Sequence, residues 1–369
     1  MRCKIFKNSC ARSALLLSLL MVATGARALT CDFITGAAVT VQMPIQGTNI
    51  TVGPDVPNGT VIHQQYYRPA AGMSFGCSNA NGITYRPIVD YHFTRTPMPP
   101  SNYSSGPFAG KIMQTSIPGI GVAFRRGTNP TDVTVPFTQT PWREMTGGGS
   151  FTAPGSFDLD MFLIKTGDIQ PGTLNGADLP TVGAFFSVPG VLDLKAVETS
   201  FTGSLNIVSR TCTTPNVTVD MGSYGVEQFK NAGDATLWRS AVIQLTDCPR
   251  FYGKLIDGRN SYYSDNGNTA IGVKTPNTLY VTVQPNTPVI DAANGIFSLQ
   301  SGADSASGVG IQLTWGGDNV DFSSGRSFTL GDSSSTSRVI PLLARYIKTS
   351  GPVKPGKANA TATFTINYY

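Results

Sequence analysis

Charge is scarce in this sequence. Asp, Glu, Lys and Arg make 13% of the 369 residues, about half the share usual in soluble domains. That excludes a coiled coil, which needs abundant Glu, Lys and Arg, and intrinsic disorder, which needs high net charge with few apolar residues. Histidine is rarer still, with His63 and His92 the only two. Past residue 23 no apolar run approaches the about 20 residues that span a bilayer. No window carries the 3.6-residue apolar period of a long amphipathic helix. What is abundant is 40 glycines and 25 prolines alongside 40% hydrophobic residues, the composition of short strands joined by turns.

The front of the chain has its own pattern. Arg2, Lys4, Lys7, Arg12 and Arg27 occur there without an acid, around an apolar stretch from Ala14 to Ala23 and the triplet Ala26, Arg27, Ala28. A basic front, a short apolar core and an A-x-A site make a secretory signal, so residues 1–28 are expected to be removed on export and the mature chain to start at Leu29. The formal charge of +5 then disappears: of 27 basic residues 22 remain, against 22 acidic ones. An exported, neutral chain has no electrostatic footprint for nucleic acid or for an acidic membrane.

Cys3 and Cys10 leave with the signal, and Cys31, Cys77, Cys212 and Cys248 remain, an even number for an oxidising compartment. Four cysteines allow three pairings. The long cysteine-free stretch between Cys77 and Cys212 favours one bridge per domain, Cys31 with Cys77 and Cys212 with Cys248. Each would close a loop of roughly 40 residues, worth about 4 kcal/mol in the chain-entropy model. The spacings lack a C-x-x-C pair, and the two histidines read as ordinary strand residues, so neither a metal nor another cofactor is expected.

Period-two or β-branched runs recur at 38–43, 60–67, 83–93 and 157–165, and again at 241–245, 279–283, 310–315 and 339–346. Turn clusters at 52–59, 96–102 and 147–149 separate them. The expected fold class is all-β with two β-sandwich domains, residues 29–208 and 209–369. The end of the chain is unusual. Ala358, Ala360, Ala362, Phe364, Ile366 and Tyr368 alternate with Asn359, Thr361, Thr363, Thr365, Asn367 and Tyr369, and Lys357 is the last charged side chain. That is a clean strand period without the charges and prolines that keep edge strands from pairing with other chains, and it points to a partner surface.

With these motifs in view, the sequence resembles the two-domain tip adhesins of chaperone-usher (type 1-like) fimbriae. Residues 209–222 (SRTCTTPNVTVDMG) resemble the opening of a pilin domain, Cys248 in QLTDC its second cysteine, and 308–313 (GVGIQL) its late strand. The penultimate Tyr368 and Gly356, fourteenth from the end, fit its final strand. In the first domain the early Cys31 and the segment 163–168 (LIKTGD) are similar to the adhesins, whereas the mannose-binding cluster of the type 1 adhesin has no counterpart around Thr84, Tyr85, Arg86 and Asp168. The resemblance implies a jelly-roll-like receptor-binding domain at 29–208 and an incomplete immunoglobulin-like pilin domain at 209–369, completed by a donor strand. It implies a periplasmic chaperone, an outer-membrane usher and the next fimbrial subunit as assembly partners, through Gly356, Ala360, Ala362, Phe364, Ile366 and Tyr368. It implies a host glycan or extracellular-matrix receptor, and a place at the fimbrial tip on the cell surface.

Sugar recognition needs fixed hydrogen-bond partners on loops held by a rigid scaffold. The first candidates are Lys165, Thr166 and Asp168 with the loop through Asn175 and Asp178, and the amino group of Leu29; Tyr85, Arg86, Asn102 and Tyr103 follow. Trp142 reads as packing rather than a sugar platform. Residues 72–76 (GMSFG) match G-x-S-x-G, but Cys77 and a strand-rich region follow where a helix is needed, and the only downstream histidine, His92, lies 18 residues on with just Asp90 between, which argues against a nucleophile elbow. No enzyme is expected. The competing reading is a structural tip or adaptor pilin without a ligand of its own.

Overall fold

Alternation along the sequence builds the outer strands, whereas central ones such as Leu159–Lys165 are buried throughout. In the strand Val61–Arg68 the residues Ile62, His63, Gln65 and Tyr67 are buried while Gln64, Tyr66 and Arg68 are half-buried. The computed structural model describes residues 29–70, 72–79, 82–127, 133–152 and 157–369; the expected signal, 1–28, lies outside them. Among the described residues the regular elements are β-strands and two short 3-10 turns, an all-β fold.

In the first half a six-stranded sheet packs against a five-stranded one. Leu159–Lys165 lies at the centre of the former, between Val61–Arg68 and Ile120–Arg125, and the latter runs from Val39–Pro44 through Leu192–Thr202, Thr181–Val188 and Ile88–Arg95 to Phe137–Gln139. Aromatic rings join the two layers, with Phe201 5.1 Å from Phe124 and 5.3 Å from Tyr67 between ring centroids. In the second half Leu343–Lys348 and Val309–Thr314 form the middle of a five-stranded sheet, and Asn277–Pro285 is flanked by Arg326–Leu330 and Ala362–Tyr368. Each half has its own apolar core. Each also has its own disulfide, Cys31–Cys77 and Cys212–Cys248, with Cα atoms 4.0 and 4.1 Å apart.

The halves are less segregated than a cut at residue 208 implies. Residues 253–270 of the second half return to the first, where Ser261–Tyr263 adds parallel to Val61–Arg68 and Thr269–Ala270 becomes the edge of the six-stranded sheet. Leu255 is fully buried in the first core. The Asn260 amide donates to the Gln64 carbonyl at 2.9 Å, and Arg68 pairs with Asp265 at 2.9 Å. Nearby, Asn277 bridges the halves: its amide nitrogen reaches the Thr51 and Tyr369 carbonyls, and its oxygen accepts from the Gly253 N–H at 3.0 Å.

Two titratable groups are buried in this sheet and oppose each other. Burial pushes the Asp160 carboxyl up to about 6, offset in part by Gln64. Burial lowers His63 to about 4; Gln65 beside it helps little, because its amide is already bonded to Gln46 and Pro44. The folded chain holds the Asp160 proton more tightly than the unfolded chain does, so this group's stabilisation is lost as pH rises from about 4 to about 6. His63 does the reverse: the unfolded chain takes up a proton that the fold refuses, and stability falls as pH drops from about 6.5 to about 4. Relative to wild type, Asp160→Asn should therefore gain stability as pH rises from 4 to 6, by at most about 3 kcal/mol. His63→Gln should lose it over a similar window. Denaturant midpoints measured at several pH values decide this, and two variants that both track the wild type would refute it.

Candidate functional site

A polar pocket of about 420 Å³ opens at one end of the six-stranded sheet, where three loops meet. The first wall is the turn 115–120, tightened by the buried Thr115 hydroxyl, which lies 3.1 Å from the Ile117 carbonyl and 2.9 Å from that of Ile120. The second is 166–168, which follows Leu159–Lys165 and is tied to the turn by the Thr166 N–H donating to the Gly119 carbonyl at 2.8 Å. Gly119 has φ +83°, and a Cβ there would lie 2.2 Å from the Asp168 carbonyl oxygen, so a glycine is required for the two loops to meet. The third wall is 101–103, where the Tyr103 N–H donates to the Ser101 hydroxyl at 3.2 Å.

This pocket collects Thr166 and Asp168 from the first-choice candidates, and Asn102 and Tyr103 from the second. Ser101 and Gln114 join them, unanticipated because register, not sequence distance, brings 113–114 beside 121–122. Hydroxyls, amides and a backbone-rich turn surround one carboxylate, that of the exposed Asp168, which makes no ion pair among the described residues. Among the described residues no cationic side chain lines the pocket. Such a lining suits a neutral polyhydroxy ligand and disfavours an anionic one.

The other candidates lie elsewhere. Lys165 is buried, not on a loop, and its amine donates to Asn58 at 3.0 Å. The Leu29 side chain packs into the first core. Asn175 and Asp178 bond each other at 3.3 Å across a 3-10 turn and do not line the pocket. Tyr85 is buried with its hydroxyl on the Gly147 carbonyl, and Arg86 donates to the Trp142 carbonyl, so both hold the 142–147 loop. Trp142 packs on Phe75 and Phe151. Ser74 sits within the strand Ser74–Ser78 with its hydroxyl 2.6 Å from that of Thr35; His92 is bonded to Asp90 and stacked on Phe185. That is no catalytic constellation.

A second feature is larger. An apolar groove of about 450 Å³ runs through the second half, with Val217, Val219 and Met221 on one rim and Ala358, Ala360, Ala362 and Phe364 on the other. Ile243, Ile311, Leu313 and Leu342 form its floor. Adjoining hollows extend it past Gly356 at one end and past Ile366 to Tyr368 at the other. Ala362–Tyr368 is an edge strand, paired among the described residues only with Asn277–Pro285. Tyr369 exchanges both backbone bonds with Thr278, and Thr361 accepts from Asn286, so the odd residues face the paired side. In an antiparallel ladder the alternate residues then direct N–H and C=O outward. Ala360, Ala362, Phe364 and Ile366 thus turn apolar side chains to the core and unpaired backbone groups to the groove.

Residues 199–369 match the family described as fimbrial protein. Among curated relatives, the S-fimbrial adhesin protein SfaS of Escherichia coli O6:K15:H31 (strain 536 / UPEC) is 34% identical over 87 residues, 22% of this chain and 52% of that protein. The chain thus spans about half the length of that relative. The fimbria adhesin protein of Klebsiella pneumoniae is 26% identical over 267 residues, 70% of this chain and 73% of the relative. Among solved structures, the CupB6 tip adhesin from Pseudomonas aeruginosa aligns over 92% of this chain and 94% of its own at 15% identity and a TM-score of 0.35. The receptor binding domain of the adhesin MrkD1P of Klebsiella pneumoniae aligns over 50% and 99% at 22% identity and a TM-score of 0.34. The matching family and the curated relatives are fimbrial proteins, not enzymes.

The tight approach at Gly119 provides a direct check on the pocket. Gly119→Ala should cost more than about 1 kcal/mol, since it combines a left-handed backbone with a backbone clash. The denaturant midpoint should fall and protease should cut near residue 119 sooner. An alanine variant as stable as wild type would show that the two loops are free to part.

Proposed function

We propose that this chain is a fimbrial tip adhesin: the first half binds a host receptor through the pocket beside Asp168, and the second half is anchored by a strand from the next subunit. The observation that carries this reading is the open edge of Ala362–Tyr368. A strand whose outward N–H and C=O groups line an apolar groove is built to be completed by β-strand addition, with main-chain bonds giving affinity and alternate side chains giving register. Before a subunit arrives, a periplasmic chaperone covers the same edge, and the outer-membrane usher receives the complex. A whole extra sandwich precedes the fimbrial half and carries a separate polar pocket, which favours a receptor-binding module over an adaptor without a ligand.

The pocket lining favours neutral saccharides over sialylated or sulfated ones, because Asp168 repels anions and no cation offsets it. On a panel of immobilised glycans and matrix proteins, Tyr103→Ala should reduce retention about tenfold or more, the effect of removing one aromatic contact and its hydroxyl. Asp168→Asn should lower affinity for neutral sugars while relaxing exclusion of anionic ones. Should the full chain bind nothing on a panel that control adhesins recognise, the adaptor reading replaces this one.

The groove makes a separate prediction. Ile366→Asp places a charge among the core-facing positions and should abolish recovery of the chaperone complex, because a buried unpaired charge costs several kcal/mol or more. Asn367→Asp, on the opposite face, should be recovered near wild-type yield. Equal loss in both variants would contradict strand completion at this edge.

A further inference from the structure

The open edge stops abruptly, and what stops it belongs to the first half. At Tyr368 the outward-facing N–H, the next in the row after Ile366, donates to Asp55 at 2.7 Å. The turn holding Asp55 also covers the outward carbonyl, for a Cβ on Gly53 would lie 2.0 Å from the Tyr368 oxygen. Only glycine permits that approach. The Tyr368 side chain is meanwhile held inside the second core, its hydroxyl accepting from the Cys212 N–H and its ring 6.3 Å from that of Phe251. The edge therefore offers pairing positions from Ala360 to Ile366, about 20 Å of strand, and no further.

Asp55 also faces the end of the groove, where it shares a hollow with Thr214, Phe364 and Ile366. The bond to Tyr368 occupies one carboxylate oxygen. Among the described residues Asp55 forms no ion pair, and no cationic side chain lines that hollow. A negative charge thus waits where the end of an added strand would arrive. A carboxyl terminus or an acidic residue would be repelled there; an α-amino group or a Lys or Arg would be attracted and could donate to the free oxygen.

We propose that Asp55 is the stop and the end-selector of the strand-accepting groove. It limits the partner to an extended segment of alternating apolar residues along Ala360 to Ile366, and it favours one whose end beside Asp55 carries a positive charge. The proposal rests on the strand-completion reading above and adds a contribution of the first half to a site built from the second.

The test uses the full chain and fluorescent nine-residue peptides of alternating Val and Ser, amidated at the carboxyl end, with the amino end either free or acetylated. Binding is followed by anisotropy at pH 7, where an α-amino group is largely charged. Wild type should bind the free-amino peptide about fivefold tighter than the acetylated one, in the range of a partly exposed ion pair. Asp55→Asn keeps an oxygen for the Tyr368 N–H but removes the charge. It should abolish the preference while leaving the acetylated peptide's affinity unchanged, which also shows that the variant is folded. Binding without an end preference in wild type, or a preference that survives in Asp55→Asn, overturns the role of Asp55 alone. If no peptide binds wild type, or if Ile366→Asp leaves binding untouched, strand completion itself fails and this proposal with it.

Discussion

Backbone hydrogen bonding is the constraint on which the rest of this structure depends. Every N–H and C=O withdrawn from water needs a partner, and in a chain made of strands the partners come from neighbouring strands. At Ala360, Ala362, Phe364 and Ile366 the fold turns such groups toward an apolar groove and leaves them facing outward. The same residues supply the groove with its apolar rim, because in a strand the side chains of residues sharing one backbone direction also share one face. Incomplete pairing and an incomplete core are therefore one feature.

The first half solves the same difficulty differently. Its Val61–Arg68 strand would be an edge, but the chain returns after residue 250 to cover it with Ser261–Tyr263 and Thr269–Ala270. Leu255 completes the core beneath. Asn277, Asp55 and Arg68 then fasten the halves through an amide bridge, a carboxylate on the Tyr368 N–H and an ion pair. The polar pocket lies on the same six-stranded sheet, reached through the Gly59 N–H on the Lys165 carbonyl and the Lys165 amine on Asn58. One turn, 53–60, thus touches both the groove's end and a support of the pocket.

Much of this was legible in the sequence, for reasons that can be stated residue by residue. Period-two alternation is local, so the strands and the two-faced end at 358–368 could be read directly. Cysteine spacing was informative because the long gap after Cys77 left one economical pairing. Lys165 misled, because a charged residue ending an apolar run looks like a loop ligand until its amine is found on Asn58, 107 positions away. Tyr85 and Arg86 misled likewise, their polar groups being spent on the carbonyls of a neighbouring loop. Ser101, Gln114 and Asp55 could not be reached at all, since the Asp55 contact spans 313 positions and no local pattern encodes it.

The returning segment also has a consequence in time. Asn260 meets Gln64 across 196 positions of chain, so the six-stranded sheet cannot close until the chain has been made as far as Ala270. Contacts of such separation carry a heavy loop-closure cost before they give any stability, and they form late. In the order of synthesis, the half made first is finished by a segment of the half made last. The first sandwich thus waits, its outer strand uncovered, for a piece of the second.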